Sequence, residues 1–373
     1  MMSISSGFVA AGFAPVRQAF ERNFADGLEL GATFAAYLGD ELVVNLWAGS
    51  TDRKETTAWS ERTLCPIFST TKPIAALVVA LLVERGQVNY DRPLAEYWPE
   101  FGAEGKDLVT IAEALSHQAG VPGFPDPIDP DLWLDPPALS AALAKLKPMW
   151  RPGEGSGYHP LTWGYIAGEL VRRIDGRSLG QVLREDICQP LEIDFMIGTP
   201  ASEHWRCAQM IKPKEPTKFG QPNEALKAAF LKPWSAPSRG GAAWREAEIP
   251  SANGHGVAAA AARLYSVYAL RGRLGERQLI SRATWEQLTF ERVSGPDRIL
   301  PGEVAFGAGV MRNLPLLYGP NPATLCHSGW GGSGALGDPA TGLACAYIMN
   351  RQGSHLLEDA RRSRIIDALY ACL

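Results

Sequence analysis

Apolar and polar positions along this chain change their spacing three times, and the order of those changes predicts an architecture. Residues 16–25 repeat with a helical period, and residues 32–47 then read as two strands of small and β-branched residues broken at Gly39-Asp40. From residue 68 the pattern turns helical: 70–85, 111–115, 137–146, 161–175 and 179–188 have helix-like spacing, with Gly or Pro between them. A further helical pattern covers 257–270. Strand-like runs return at 306–311, 323–328 and 343–349, and a helix over 356–370 closes the chain.

Strands near both termini with helices between them predict an α+β fold, a sandwich with an antiparallel sheet flanked by helices and built from both termini, plus an inserted, mainly helical domain. On this division residues 1–68 and 254–373 form the sheet domain, and residues 69–253 form the helical domain with the active-site loops. Two proline-rich segments, 121–137 and 212–241, carry Phe124, Trp133, Phe219 and Trp234. Loops of that length inside a compact domain are usually functional or mobile.

Composition narrows the class. The chain has 373 residues, 46% hydrophobic and 20% charged, with a net charge of -4, an ordinary globular balance. Lys and Arg are scattered, which argues against nucleic acid as a partner. The longest apolar stretch, 74–83, is about half of what a bilayer span needs, so no membrane partner is expected. No basic residue precedes the apolar patch at 8–16, so a secretory signal is disfavoured and a cytoplasmic protein is expected. Six cysteines lack any C-x-x-C pair and fit reduced thiols, and six dispersed histidines lack H-E-x-x-H. Neither a metal nor another cofactor is expected. Asp129, Asp131 and Asp135 lack the glycine and terminal glutamate of a calcium loop and read as a solvated loop.

Three segments carry candidate chemistry. Ser69-Thr-Thr-Lys72 stands at the start of the apolar helix, and a spacing of three puts both side chains on one face. A serine hydroxyl becomes nucleophilic when a neighbouring base takes its proton, and the helix N-terminus adds free N–H groups. The helix is apolar on every face, so Lys72 is expected to be partly buried. Tyr158 lies in a glycine-rich turn, Trp150-Arg-Pro-Gly-Glu-Gly-Ser-Gly-Tyr158. A cation beside it favours its phenolate, a usable general base. Finally, Cys326-His327-Ser328-Gly329-Trp330-Gly-Gly-Ser-Gly is a strand end dissolving into glycines, able to bring backbone N–H groups to an oxyanion. An ordinary glycine turn reads equally well from this segment alone.

In this order the three segments resemble the serine β-lactamase and penicillin-binding protein superfamily, in particular its class C β-lactamase-like branch with the family VIII carboxylesterases. The resemblance spans most of the chain. It implies a β-lactamase-like fold, with Ser69 as nucleophile, Lys72 and Tyr158 as its proton-handling partners, and the Ser69 and Trp330 amides as oxyanion donors. Leu115-Ser-His-Gln-Ala-Gly120 and Ser251-Ala-Asn-Gly-His-Gly256 are similar to further family segments. No G-x-S-x-G occurs, which argues against the α/β-hydrolase route. Pro160 stands where a β-lactamase has asparagine, and His327, partly cationic near neutrality, stands where it has lysine. Both departures point away from efficient β-lactam hydrolysis. The expected activity is hydrolysis of small, short-chain carboxylic esters through a Ser69 acyl-enzyme. His327, Ser328, Gly329 and Trp330 would bind the substrate, and Phe124, Trp133 and Trp234 would line an apolar pocket for neutral esters. A β-lactamase or D,D-peptidase-like amidase, an acyltransferase and, last, a non-catalytic scaffold are the alternatives, and a homo-oligomer stays open.

Overall fold

The computed structural model describes residues 4–373. Its frame is one nine-stranded sheet. The strands are β1 (Ser6–Val9), β2 (Gly31–Leu38), β3 (Glu41–Gly49), β4 (Val293–Pro296), β5 (Glu303–Phe306), β6 (Met311–Arg312), β7 (Leu325–Ser328), β8 (Gly334–Asp338) and β9 (Leu343–Met349). They lie in the order β1-β3-β2-β9-β8-β7-β6-β5-β4, all antiparallel. The two ends of the chain meet where β2 pairs β9, with Ala35 opposite Ala346. Asn350 locks that junction: its side chain accepts from Gly31 N–H and donates to the Ser50 carbonyl, both at 3.0 Å.

The period-2 pattern of the central strands feeds two cores. Ala35, Ala335, Ala344, Ala346 and Ile348 face the helical part of the molecule. Phe34, Ala36, Leu336, Cys345 and Tyr347 face the opposite side, where helices α1 (Ala14–Ala25) and α5 (Ala360–Tyr370) pack. Between the two groups of strands run α2 (Thr71–Glu84), α3 (Thr162–Asp175) and α4 (Ala258–Ala269). Helix α4 begins with five alanines and lies close on β2, β8 and β9. A Cβ at Gly337 would sit 2.5 Å from the Tyr265 carbonyl oxygen, so the strand and helix touch backbone to backbone. Helix α2 is buried from Thr71 to Leu82, as its all-round apolar sequence requires.

The structure departs from the sequence expectations in identifiable places. Residues 306–311 do not form one strand; β5 and β6 flank a turn in which Gly309 has φ +96°. A Cβ there would meet Trp163 at 2.6 Å and Ala76 at 2.7 Å, so the chain dips onto α2 and α3. Strands β1, β4 and β8 have no distinctive pattern of their own and arise from pairing with neighbours. The 212–241 segment contains a helical stretch from Glu224 to Leu231 that begins on an Asn223 cap. The closing helix starts at Ala360, where the Asp359 side chain accepts from the Arg361 N–H. Among the described residues no helix is long and apolar enough to cross a membrane.

Asn350→Ala removes both hydrogen bonds at a fully buried position and leaves the Gly31 N–H and Ser50 carbonyl unpaired. The variant is expected to lose about 2–3 kcal/mol of stability, read from the shift in a urea unfolding midpoint at unchanged slope.

Candidate active site

Ser69 sits in the single tight turn Phe68–Thr70 that leads into α2. Phe68 holds φ +47°, a region that bulky residues avoid, and its ring is buried. That strained residue presents Ser69, half-exposed, at the mouth of the helix. Helix α4 pins the turn from behind: the Tyr265 hydroxyl donates to the Thr70 carbonyl at 2.8 Å and that of Tyr268 to the Pro73 carbonyl at 2.6 Å.

Lys72, one turn on, is fully buried. Its Nζ lies 3.2 Å from Ser69 Oγ, and donates to the carbonyls of Pro160 at 2.9 Å and Ser251 at 3.1 Å. Burial pushes its pKa well below the ordinary lysine value. Two carbonyls and the Ser69 hydroxyl occupy the three hydrogen-bonding positions of the nitrogen.

Tyr158 is buried with its ring face 4.7 Å from Lys72 Nζ, and its hydroxyl is hydrogen-bonded to Ser69. Burial raises the phenol pKa, the Ser69 hydrogen bond opposes this, and the Asp297 carboxylate adds to the rise. The phenolate expected beside a lysine is therefore corrected: burial favours the protonated phenol. The loop that carries Tyr158 is held by residues the sequence did not single out. Asp297 accepts from the backbone N–H groups of Tyr158, Ile299 and Leu300 and from the Ser156 hydroxyl, at 2.7–3.0 Å. The His117 ring lies tilted against that of Tyr158 with centroids 4.7 Å apart, and its Nδ1 accepts from His159 N–H at 3.0 Å. His159 in turn accepts from Val121 N–H at 3.0 Å and donates to the Gly157 carbonyl at 2.6 Å.

The end of β7 forms the opposite wall. Ser69, Tyr158, His327, Ser328 and Trp330 border one crevice of about 30 Å³, together with Phe230, Leu300, Leu356 and Leu357. A second, of about 40 Å³, runs from Ser69 past Pro160, Phe230 and Trp330 towards Trp244. Gly329 has no clearance: a Cβ would stand 2.4 Å from the Ile67 carbonyl oxygen and 2.1 Å from Ser333 Oγ. The same contact is stitched by Ser333 Oγ, which donates to Ile67 O at 2.8 Å and lies 3.3 Å from Thr70 Oγ1. Ser328 is committed internally, donating to the Leu357 carbonyl and bonded to the Tyr318 hydroxyl, both at 2.8 Å.

Two other expectations are corrected. His327 is buried, and desolvation together with Lys72 lowers its pKa to about 3, so it is neutral rather than partly cationic. Its Nδ1 donates to the Ser328 carbonyl at 2.7 Å, leaving Nε2 as an unpartnered acceptor. Phe124, Trp133 and Trp234 do not border the crevices at Ser69. They tie the two long loops together: Trp133 Nε1–H donates to the Trp234 carbonyl at 2.8 Å and Trp234 Nε1–H to the Phe124 carbonyl at 2.9 Å. The segment 251–256 proves to be structural support: Ser251 receives Lys72, Asn253 donates to the Trp244 and Ala247 carbonyls, and Gly254 N–H donates to Thr71 Oγ1.

A sheet assembled from both chain ends, with a serine and a lysine one turn apart at the foot of a buried helix, defines a protein of the serine β-lactamase and penicillin-binding protein superfamily. The chain belongs to the β-lactamase family, whose model matches residues 18–370. It is 33% identical over 359 residues to the esterase/β-lactamase LipL of Mycobacterium tuberculosis, covering 92% of this chain and 82% of that protein. Among solved structures, a penicillin-binding protein homologue from Caulobacter crescentus shares 51% identity with a TM-score of 0.97, over 99% of this chain and 100% of that one. A family VIII carboxylesterase shares 38% identity with a TM-score of 0.92 over the same shares of the two chains.

Two predictions follow from the site's electrostatics. His159, His255 and His327 have pKa values lowered to about 3 by burial, while Glu29, also buried, is raised to about 7. Below the unfolded histidine value of 6.5 the unfolded chain binds more protons at each histidine, so this stability falls as pH drops from 6.5 towards 3. Glu29 has the opposite sign between 4.5 and 7 and offsets one of the three. The urea midpoint is expected to fall from pH 7 to pH 5 by several kcal/mol in stability, with net proton uptake on unfolding. Asp297→Ala leaves four donors of the Tyr158 loop without their acceptor; it is expected to lower kcat about 10²-fold through misplacement, checked by steady-state kinetics beside circular dichroism.

Proposed function

We propose that the protein is a serine carboxylesterase that cleaves small carboxylic esters through an acyl-enzyme on Ser69. The observation that carries this reading is the fully buried Lys72, held by two backbone carbonyls with its Nζ 3.2 Å from Ser69 Oγ. In the acylation step Lys72 takes the Ser69 proton as Oγ attacks the ester carbonyl. The hydroxyl of Tyr158, bonded to Ser69, passes a proton to the departing alcohol oxygen and is reprotonated from Lys72, so the pair shares one proton between them. The amides of Ser69 and Trp330 receive the oxyanion. Water then attacks the acyl group by the same sequence in reverse roles.

The ester reading over the amide reading rests on His327 and Pro160. A neutral, buried imidazole provides no charge for a β-lactam carboxylate, and a proline gives the site only its carbonyl, which Lys72 already occupies. The small crevices beside Ser69 suit a short substituent on one side of the ester. The esterase names attached to two of the relatives support the same assignment.

A p-nitrophenyl ester series from acetate to octanoate, run beside nitrocefin, tests this. Turnover is expected to peak at short acyl chains, with nitrocefin cleaved poorly and a serine-bound acyl mass detectable. Ser69→Ala and Lys72→Met are each expected to lower kcat by about 10³-fold or more. Full ester activity in Ser69→Ala, or nitrocefin turnover exceeding that of every ester, would overturn the assignment.

A further inference from the structure

On the far side of Trp330 from the narrow crevice at Ser69 lies a cavity of about 410 Å³. The two spaces share Phe68, Arg239, Trp244 and Trp330 as walls, so the larger cavity adjoins the crevice that Ser69 borders. Its size is that of a small-molecule site.

The charge around it has one sign. Lys212, Arg239 and Arg245 line the cavity, and no carboxylate does. None of the three takes part in an ion pair among the described residues. The Arg239 guanidinium lies 5.0 Å over the Trp330 ring, which keeps it at the junction with the serine crevice. At the back stands His255, fully buried, with Nδ1 donating to the Asn253 carbonyl at 2.7 Å and Nε2 without any partner. A buried polar atom left unpaired costs free energy unless a ligand or water meets it. Three cations without carboxylate partners, Lys212 and Arg239 exposed at the mouth and Arg245 partly buried, therefore border the same space as one unpaired buried acceptor.

We infer that this cavity binds an anionic arm of the substrate, a carboxylate carried by either the acyl or the alcohol half of the ester, with a hydroxyl or amide N–H on that arm facing His255. The inference rests on the ester-hydrolase reading and adds the substrate class: half-esters of dicarboxylic acids or esters of hydroxy acids. Guanidinium groups suit a carboxylate because their paired N–H donors match its two oxygens. The short crevices then receive the opposite half of the ester.

Two matched pairs of esters test it. In the first, p-nitrophenyl hydrogen glutarate is compared with p-nitrophenyl pentanoate; in the second, 4-acetoxybenzoate with its methyl ester. The acid is expected to raise kcat/KM about tenfold or more in one pair, and that pair identifies the half of the ester that enters the cavity. The acid-to-neutral ratio is expected to shrink in 0.5 M salt and to fall towards one in Arg245→Ala and in Lys212→Ala. A ratio of one or less in both pairs, with the neutral esters still hydrolysed, overturns the inference and leaves the esterase reading standing. Should no ester be hydrolysed, the esterase reading fails, and calorimetry with glutarate decides the cavity separately. Glutarate binding that is lost in Arg245→Ala retains an anion site there, and no binding overturns it.

Discussion

Everything in this site depends on keeping an amine out of water. Lys72 is desolvated by an apolar helix on its own side and by two backbone carbonyls on the other, and those carbonyls come from segments almost ninety and one hundred and eighty residues away. The helical core, the Tyr158 loop and the 251–256 turn must all be in place before that amine is both buried and oriented. Charging it would leave an ion in a medium that solvates ions poorly, so burial pushes its pKa down. The same desolvation acts on Tyr158, where it pushes the phenol pKa up.

How much of this was legible in the sequence depends on distance along the chain. Ser69 and Lys72 are three residues apart on a helix whose apolar run is continuous, so their juxtaposition is a local fact. Tyr158 and the Gly329 strand end became legible through their order and resemblance. Asp297 did not, because its four partners lie up to 141 residues away and nothing beside it in sequence signals a turn that serves another loop. The histidines were visible only as dispersed residues. His117 and His159 bond to each other across 42 residues, a pairing that no spacing rule reaches.

The fold shows the same division. Helices with strong local periodicity came out within a few residues of their true ends, as with 111–115 and 162–175. Strand β8, Gly-Ala-Leu-Gly-Asp, is defined by neighbours on both sides and by a helix pressed against Gly337, so its sequence records clearance rather than propensity. The aromatic loops misled for a related reason. Trp133 and Trp234 look like pocket walls, yet each indole N–H is used to fasten one loop to the other. Large side chains next to a cleft can be its masonry rather than its lining.

The contact at Gly329 has an implication for how such a scaffold diversifies. Because the strand end and the serine turn touch backbone to backbone at Gly329, that point of the wall accepts no side chain, and the spacing between strand and serine is fixed. The facing segment, residues 212–241, is bound by no such limit and contributes Phe230 and Arg239 to the space around the serine. Variation in substrate range can thereby enter through side chains and loops on either side, while the backbone distance across the serine stays constant like the gap of a fixed die.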